Sequence, residues 1–194
     1  MPEEHERKKY CPGCGTTVPY YTMVSAEGDL DRCQYCSSVL NDEGLAAPGD
    51  GAGRVYVVED TALIREMVKD ILLAKGLADD VKVCVNGADF VKSYTNSLIK
   101  EDGPGLVMLD VVMPVMNGIN AAVAMRAVES AFGVERTPVV FFTVRQCDDS
   151  FRKVLKFCSP AMYINKGTDA TPELMKQRVE KVAVQVLNEI GRGV

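Results

Sequence analysis

The sequence predicts an α/β fold, a five-stranded parallel sheet with helices on both faces, preceded by a small cysteine-rich segment. Two observations predict it. From Arg54 onward, short β-branched runs alternate with amphipathic stretches through five strand-helix units. Such strict alternation implies parallel strands, because each crossover must carry the chain back across a face of the sheet. Before Arg54 the pattern changes to two C-x-x-C pairs, "CPGCG" and "CQYC".

The start, "MPEEHERKKY", is charged and holds the sole histidine, His5, which reads as a solvated side chain. It has no apolar stretch, so neither a secretory signal nor a membrane anchor is expected. Cys11 and Cys14 form the first pair, Cys33 and Cys36 the second, and 18 residues separate the pairs. That spacing is expected of a four-cysteine zinc site, in which each C-x-x-C folds into a knuckle and four thiolates close a tetrahedron. With no coordination position left open, the metal is expected to be structural. Between the pairs, "TTVPYYTMVSAEGDLDR" reads as two short strands around a Glu-Gly-Asp turn, a zinc-ribbon layout too small to fold without its metal. Cys84, Cys147 and Cys158 are solitary and read as small buried hydrophobes. The expected organisation is a ribbon over 1–45, a linker over 46–53 rich in Gly, Ala and Pro, and a second domain over 54–194. Such a linker is expected to leave two independent cores.

In the second domain "RVYVV" (54–58) is the first strand, and the helix after it places Ile64, Val68, Ile71 and Leu72 on one face. Strands follow at 81–85, 105–109, 138–142 and 161–164, with helices at 87–100, 118–130, 148–157 and 172–190. The net charge is −5, and most of it comes from residues 1–45, where 8 Asp/Glu stand against 4 Lys/Arg. Nothing in that balance attracts nucleic acid. The apolar runs are too short to span a bilayer, so no membrane partner is expected. Seven cysteines without an export signal point to a reducing, cytoplasmic setting.

Parallel sheets carry their functional residues at the carboxyl ends of the strands. There the sequence gathers Glu59 and Asp60 after the first strand, Asp110 after the third, Thr143 at the fourth and Lys166 after the fifth. Asp110 interrupts an apolar run, "GLVMLDVVMPVMNG", where an unpaired charge is costly. Three carboxylates in one cleft resist ionising together unless a divalent cation sits among them, and magnesium fits such a donor set.

These markers, together with Met113-Pro114, Gly118 and Tyr163 three residues before Lys166, resemble the receiver domain of two-component response regulators over 54–190, about 70% of the chain. The resemblance implies a flavodoxin-like fold with Asp110 as the phosphoacceptor. It implies magnesium held by Glu59, Asp60, Asp110 and the backbone carbonyl of Val112. Thr143 and Lys166 are implied to contact the phosphoryl group, with Thr143 and Tyr163 forming a conformational switch. The implied donor is a histidine kinase or phosphotransfer protein, and the output partner is an unknown protein. No separate turnover activity is expected. A phosphorelay intermediate or phosphate sink is the alternative, and nucleic-acid binding through the acidic ribbon is disfavoured. A phosphatase with an aspartyl nucleophile would need a second acid where Val112 stands. Three departures from the family pattern are Gly167 after the lysine, where proline is usual and often cis, Val144 after Thr143, and Val112. The two valines are expected to dry the phosphate's surroundings and slow its hydrolysis, and no oligomeric state follows from the sequence.

Overall fold

The structure, a computed structural model, describes residues 7–23, 30–36, 38–40 and 52–167, with Glu173, Lys176, Gln177, Val179 and Glu180. In the N-terminal part, β1 (Lys8–Cys11), β2 (Thr16–Met23) and β3 (Leu30–Cys33) form an antiparallel sheet in that order. β2 and β3 are the two strands expected from the sequence; the Glu-Gly-Asp turn between them and His5 lie outside the described residues. β1 is an addition. Lys8-Lys9-Tyr10 has no apolar alternation, and its pairing is specified instead by β2, from Lys8 opposite Pro19 to Cys11 opposite Thr16. Lys9 reinforces it by pairing with Asp31 on β3 and lying 5.0 Å from the centre of the Tyr20 ring.

The larger part alternates as expected: β4 (Arg54–Val58), α1 (Ala62–Ala74), β5 (Asp80–Cys84), α2 (Gly87–Ile99), β6 (Leu106–Leu109), α3 (Gly118–Phe132), β7 (Val139–Thr143), α4 (Asp149–Phe157) and β8 (Ala161–Asn165). The strands are parallel, in the order β5-β4-β6-β7-β8. Their near-continuous apolar runs split by period 2 between two faces. Tyr56 and Val58 join Phe90, Tyr94, Ala121 and Met125 of α2 and α3 on one face. Val55 and Val57 join Val68, Ile71 and Leu72 of α1 on the other, where Val179 also packs. Full burial of each such side chain contributes roughly 1.5–3 kcal/mol. Asn86, Asn117 and Asp148 cap α2, α3 and α4, each accepting a backbone N–H from three residues ahead. The helix expected over 172–190 falls mostly outside the described residues; those described are helical, and Glu180 pairs with Lys75 at 2.7 Å. Among the described residues no helix is long and apolar enough to cross a membrane.

Two contacts bear on the expected linker and on the expected independence of the two parts. The chain is anchored before Arg54, since the Ala52 amide donates to Leu77 (3.0 Å) and the Gly53 carbonyl accepts from Asp79 (2.8 Å). The two cores also merge. Cys11, Val18, Cys33 and Cys36 belong to the same buried cluster as Phe151, Leu155 and Tyr163 of the parallel-sheet part. Three short strands cannot enclose a core, and this one completes its own against α4 and β8.

Candidate functional site

β4 and β6 are neighbours from which the chain departs in opposite directions, so a crevice opens beyond their carboxyl ends. The ladder runs one residue past each strand: the Asp110 amide donates to Val58 (2.9 Å) and the Glu59 amide to Cys84 (3.1 Å). Both acids are thereby fixed at the crevice floor. Gly118 is required beneath them, because a Cβ there would run into the carbonyl of Asp110. Carboxylate oxygens of Glu59, Asp60 and Asp110 all lie within 4.8 Å of one another, Asp60 exposed and the other two buried.

Lys166 reaches this group from β8, where its amide donates to the Thr143 carbonyl at 2.9 Å. Its Nζ lies 2.6 Å from Glu59 Oε2 and 2.9 Å from Asp110 Oδ2, with all three side chains at most 6% exposed. One ammonium facing three carboxylates leaves the site short of positive charge, and the donor set is all oxygen. That chemistry fits magnesium. Burial pushes the Glu59 carboxyl above its ordinary range, with Lys166 opposing the shift. The remaining Asp110 oxygen, Oδ1, accepts from the Val112 amide at 3.3 Å.

Thr143 is fully buried, and its Oγ1 accepts from the Arg145 amide at 3.2 Å. Tyr163 is 1% exposed, packs edge-on against Phe151 and donates its hydroxyl to the Arg145 carbonyl at 2.6 Å. The Arg145 guanidinium is engaged elsewhere, 3.3 Å from Asp148 and 5.3 Å from the Phe151 ring centre. Val112 and Val144 are 60% and 51% exposed. They stand at the rim of the crevice instead of packing into it, which weakens the expectation that they dry it. Among the described residues the only cis peptide is Ser159–Pro160, so Lys166–Gly167 is trans, with Gly167 at φ 78°.

Sequence reasoning missed two residues. Arg65 donates to the carbonyls of Glu59 (2.8 Å) and Asp60 (3.3 Å), fastening the acidic turn to α1. Asn165 donates to the Tyr163 hydroxyl and accepts from the Gly167 amide, at 2.6 and 2.7 Å. An amide side chain in an otherwise apolar strand, directly before the lysine, was the available signal for it.

The four cysteines converge as their spacing implies. Cys11, Cys14, Cys33 and Cys36 place their sulfurs within 4.8 Å of one another, with 3.5 Å between Cys11 and Cys36 and 3.7 Å between Cys14 and Cys33. A tetrahedron of bonds of about 2.3 Å around zinc has edges of about 3.8 Å. Backbone amides point at the sulfurs, Cys14 N–H to Cys11 (3.3 Å) and Tyr35 and Cys36 N–H to Cys33 (3.3 and 3.4 Å). Such donors favour thiolates, and the residues fit a structural zinc. Burial pushes the separate thiols of Cys84 and Cys147 up, to about 11 and about 12, as inert small hydrophobes would be.

Among known proteins, the chain is 38% identical over 79 residues to the chemotaxis protein CheY of Bacillus subtilis, covering 41% of this chain and 61% of that protein. It is 26% identical over 111 residues to a protein-glutamate methylesterase/protein-glutamine glutaminase of Clostridium acetobutylicum, covering 57% of this chain and 28% of the other. The chain thus spans less than two thirds of either relative. Its fold matches the response regulator domain of Thermotoga maritima CheB at 21% identity and TM-score 0.57, covering 71% of this chain and 97% of that one. It also matches the receiver domain of the Arabidopsis thaliana histidine kinase CKI1 complexed with Mg2+, at 21% identity and TM-score 0.58, covering 74% and 95%. The family description "response regulator receiver domain" fits residues 55–180, more than half of the chain and the whole of the acidic crevice, and to that family the chain belongs.

Proposed function

We propose that this protein is a response regulator that takes a phosphoryl group from a histidine kinase or phosphotransfer protein onto Asp110 and signals to a protein partner. The observation that carries the reading is the buried Lys166 ammonium held between Glu59 and Asp110 beside Asp60. Magnesium held by Glu59, Asp60, Asp110 and the Val112 carbonyl would offset the negative charge of the carboxylates and of the incoming phosphoryl oxygens. An Asp110 oxygen attacks phosphorus while the bond to the donor's imidazole nitrogen breaks, and the bonding pair stays on that nitrogen. Lys166 already faces Asp110 Oδ2, so it can pair with a phosphoryl oxygen after a small shift. Thr143 can turn its hydroxyl from the Arg145 amide toward the same group. That exchange alters the loop whose carbonyl holds Tyr163, which makes Thr143 and Tyr163 the switch.

Cys11, Cys14, Cys33 and Cys36 are proposed to hold one structural zinc. Seven free thiols suit a reducing, cytoplasmic setting. The resemblance to methylesterases covers under a third of the relative quoted, and no turnover activity is proposed here. The test is phosphorylation with magnesium and a cognate kinase. One acid-stable, base-labile acyl phosphate is expected, lost in Asp110→Asn; equal labelling of that variant would overturn the assignment.

A further inference from the structure

The first knuckle touches the strand that delivers Lys166. Asn165, the residue before Lys166, donates its backbone N–H to the carbonyl of Gly13, inside "CPGCG", at 2.5 Å. Gly13 is packed so closely that a Cβ would lie 3.1 Å from the Tyr163 carbonyl and 3.3 Å from Cys36 Sγ, bringing the cysteine cluster and the switch strand together at one residue. The second knuckle touches the loop and helix between β7 and β8. Tyr35, inside "CQYC", accepts at its carbonyl from Cys147 Sγ (3.4 Å), and its ring lies 5.1 Å from the Arg152 guanidinium. Both knuckles therefore grip the segment that runs from Thr143 to Lys166.

We propose that zinc occupancy of the four-cysteine site and phosphorylation of Asp110 are coupled through the contact of the two knuckles with β8 and α4. The coupling rests on the phosphoacceptor and zinc assignments above and adds the regulation of that site. Without the metal, the four sulfurs no longer tie the two knuckles to each other, and the Gly13 and Tyr35 contacts loosen together. The link runs through Arg145. In the arrangement the knuckles grip, its carbonyl holds the Tyr163 hydroxyl while its amide holds Thr143 Oγ1, so turning Thr143 to a phosphoryl group alters the same loop. The seating of the knuckles and the position of Thr143 therefore share one segment, and a change in either alters the stability of the other.

The test measures zinc affinity of the full chain by competition with a chromogenic chelator, in magnesium alone and in magnesium with beryllofluoride as a phosphoryl mimic. Beryllofluoride is expected to change zinc affinity at least about fivefold, the lower end of ordinary coupling between sites. The shift should vanish in Asp110→Asn and shrink in Arg152→Ala, which lies outside both sites. By reciprocity, zinc should change beryllofluoride binding by the same factor and in the same direction. Equal zinc affinity in both states in a chain that binds both ligands would overturn the coupling while leaving the two assignments standing. A chain that binds no zinc, or no beryllofluoride, would overturn the assignments beneath it, and the coupling with them.

Discussion

The two parts of the molecule solve the problem of burial differently. The receiver part has two apolar faces of its own, with Phe90, Tyr94, Phe141, Leu72 and Ile164 all less than 2% exposed. Among the described residues, the four-cysteine part buries few apolar side chains besides Val18, Val39 and the cysteines Cys11, Cys33 and Cys36, and it shares a buried cluster with Phe151, Leu155 and Tyr163 of its neighbour. One region is held by area removed from water. The other needs a cross-link and a partner surface. The contrast also bears on the proposed function, because the shared residues include Tyr163, one member of the proposed switch.

The sharpest way to break this comparison is to remove the proposed zinc. Chelation, or Cys33→Ser, is expected to unfold β1–β3 entirely, read as loss of amide protection across residues 8–33 in hydrogen exchange. Because α4 and β8 lose their cover, the receiver should also melt lower, by roughly 2–8 °C for a loss of about 1 kcal/mol. An unchanged receiver melting point after chelation would restore the picture of independent cores.

The next effect is confined to the receiver. Lys166→Met leaves Glu59 and Asp110 buried without their counter-charge, and breaking a buried pair in this way costs about 3–5 kcal/mol. Urea unfolding at neutral pH would show it, and the added variant Asp110→Asn should recover part of the loss by removing one of the repelling carboxylates. A Lys166→Met chain as stable as its parent would mean that the ammonium does not hold the acids together.

Gly118→Ala ranks third. Its Cβ meets the Asp110 carbonyl, a backbone atom that cannot turn aside, so about 1–3 kcal/mol of overpacking is expected together with slower phosphorylation. Loss of stability with unchanged labelling would show that the floor of the crevice tolerates displacement. The smallest effect concerns Val144→Ala. An exposed side chain at the rim should alter phosphoryl decay by no more than about twofold, the scale of a surface substitution, and a much larger acceleration would show that the valine does shield the acyl phosphate.

Much of this was legible in the linear order of residues. Strand and helix alternation is a local property, written in β-branched runs and in the spacing of Ile64, Val68, Ile71 and Leu72, and every strand of the larger sheet falls within two residues of its expected bounds. The crevice was legible for a related reason. In a parallel α/β sheet the topology alone brings the strand ends together, so acids, hydroxyl and amine at those ends had to meet. The C-x-x-C pairs announced their convergence by spacing, since a knuckle is a local turn. What local pattern could not announce were contacts between distant segments with no periodicity of their own. β1 exists because β2 offers it an edge, not because Lys8-Lys9-Tyr10 prefers to be extended. The rim position of Val112 and Val144 depends on how two loops leave the sheet. The seating of Gly13 on Asn165 joins residues more than 150 positions apart through backbone atoms, which carry no side-chain signature. Packing decided these, because a small cluster that cannot close on itself must find the nearest apolar face, and only the folded chain determines which face that is.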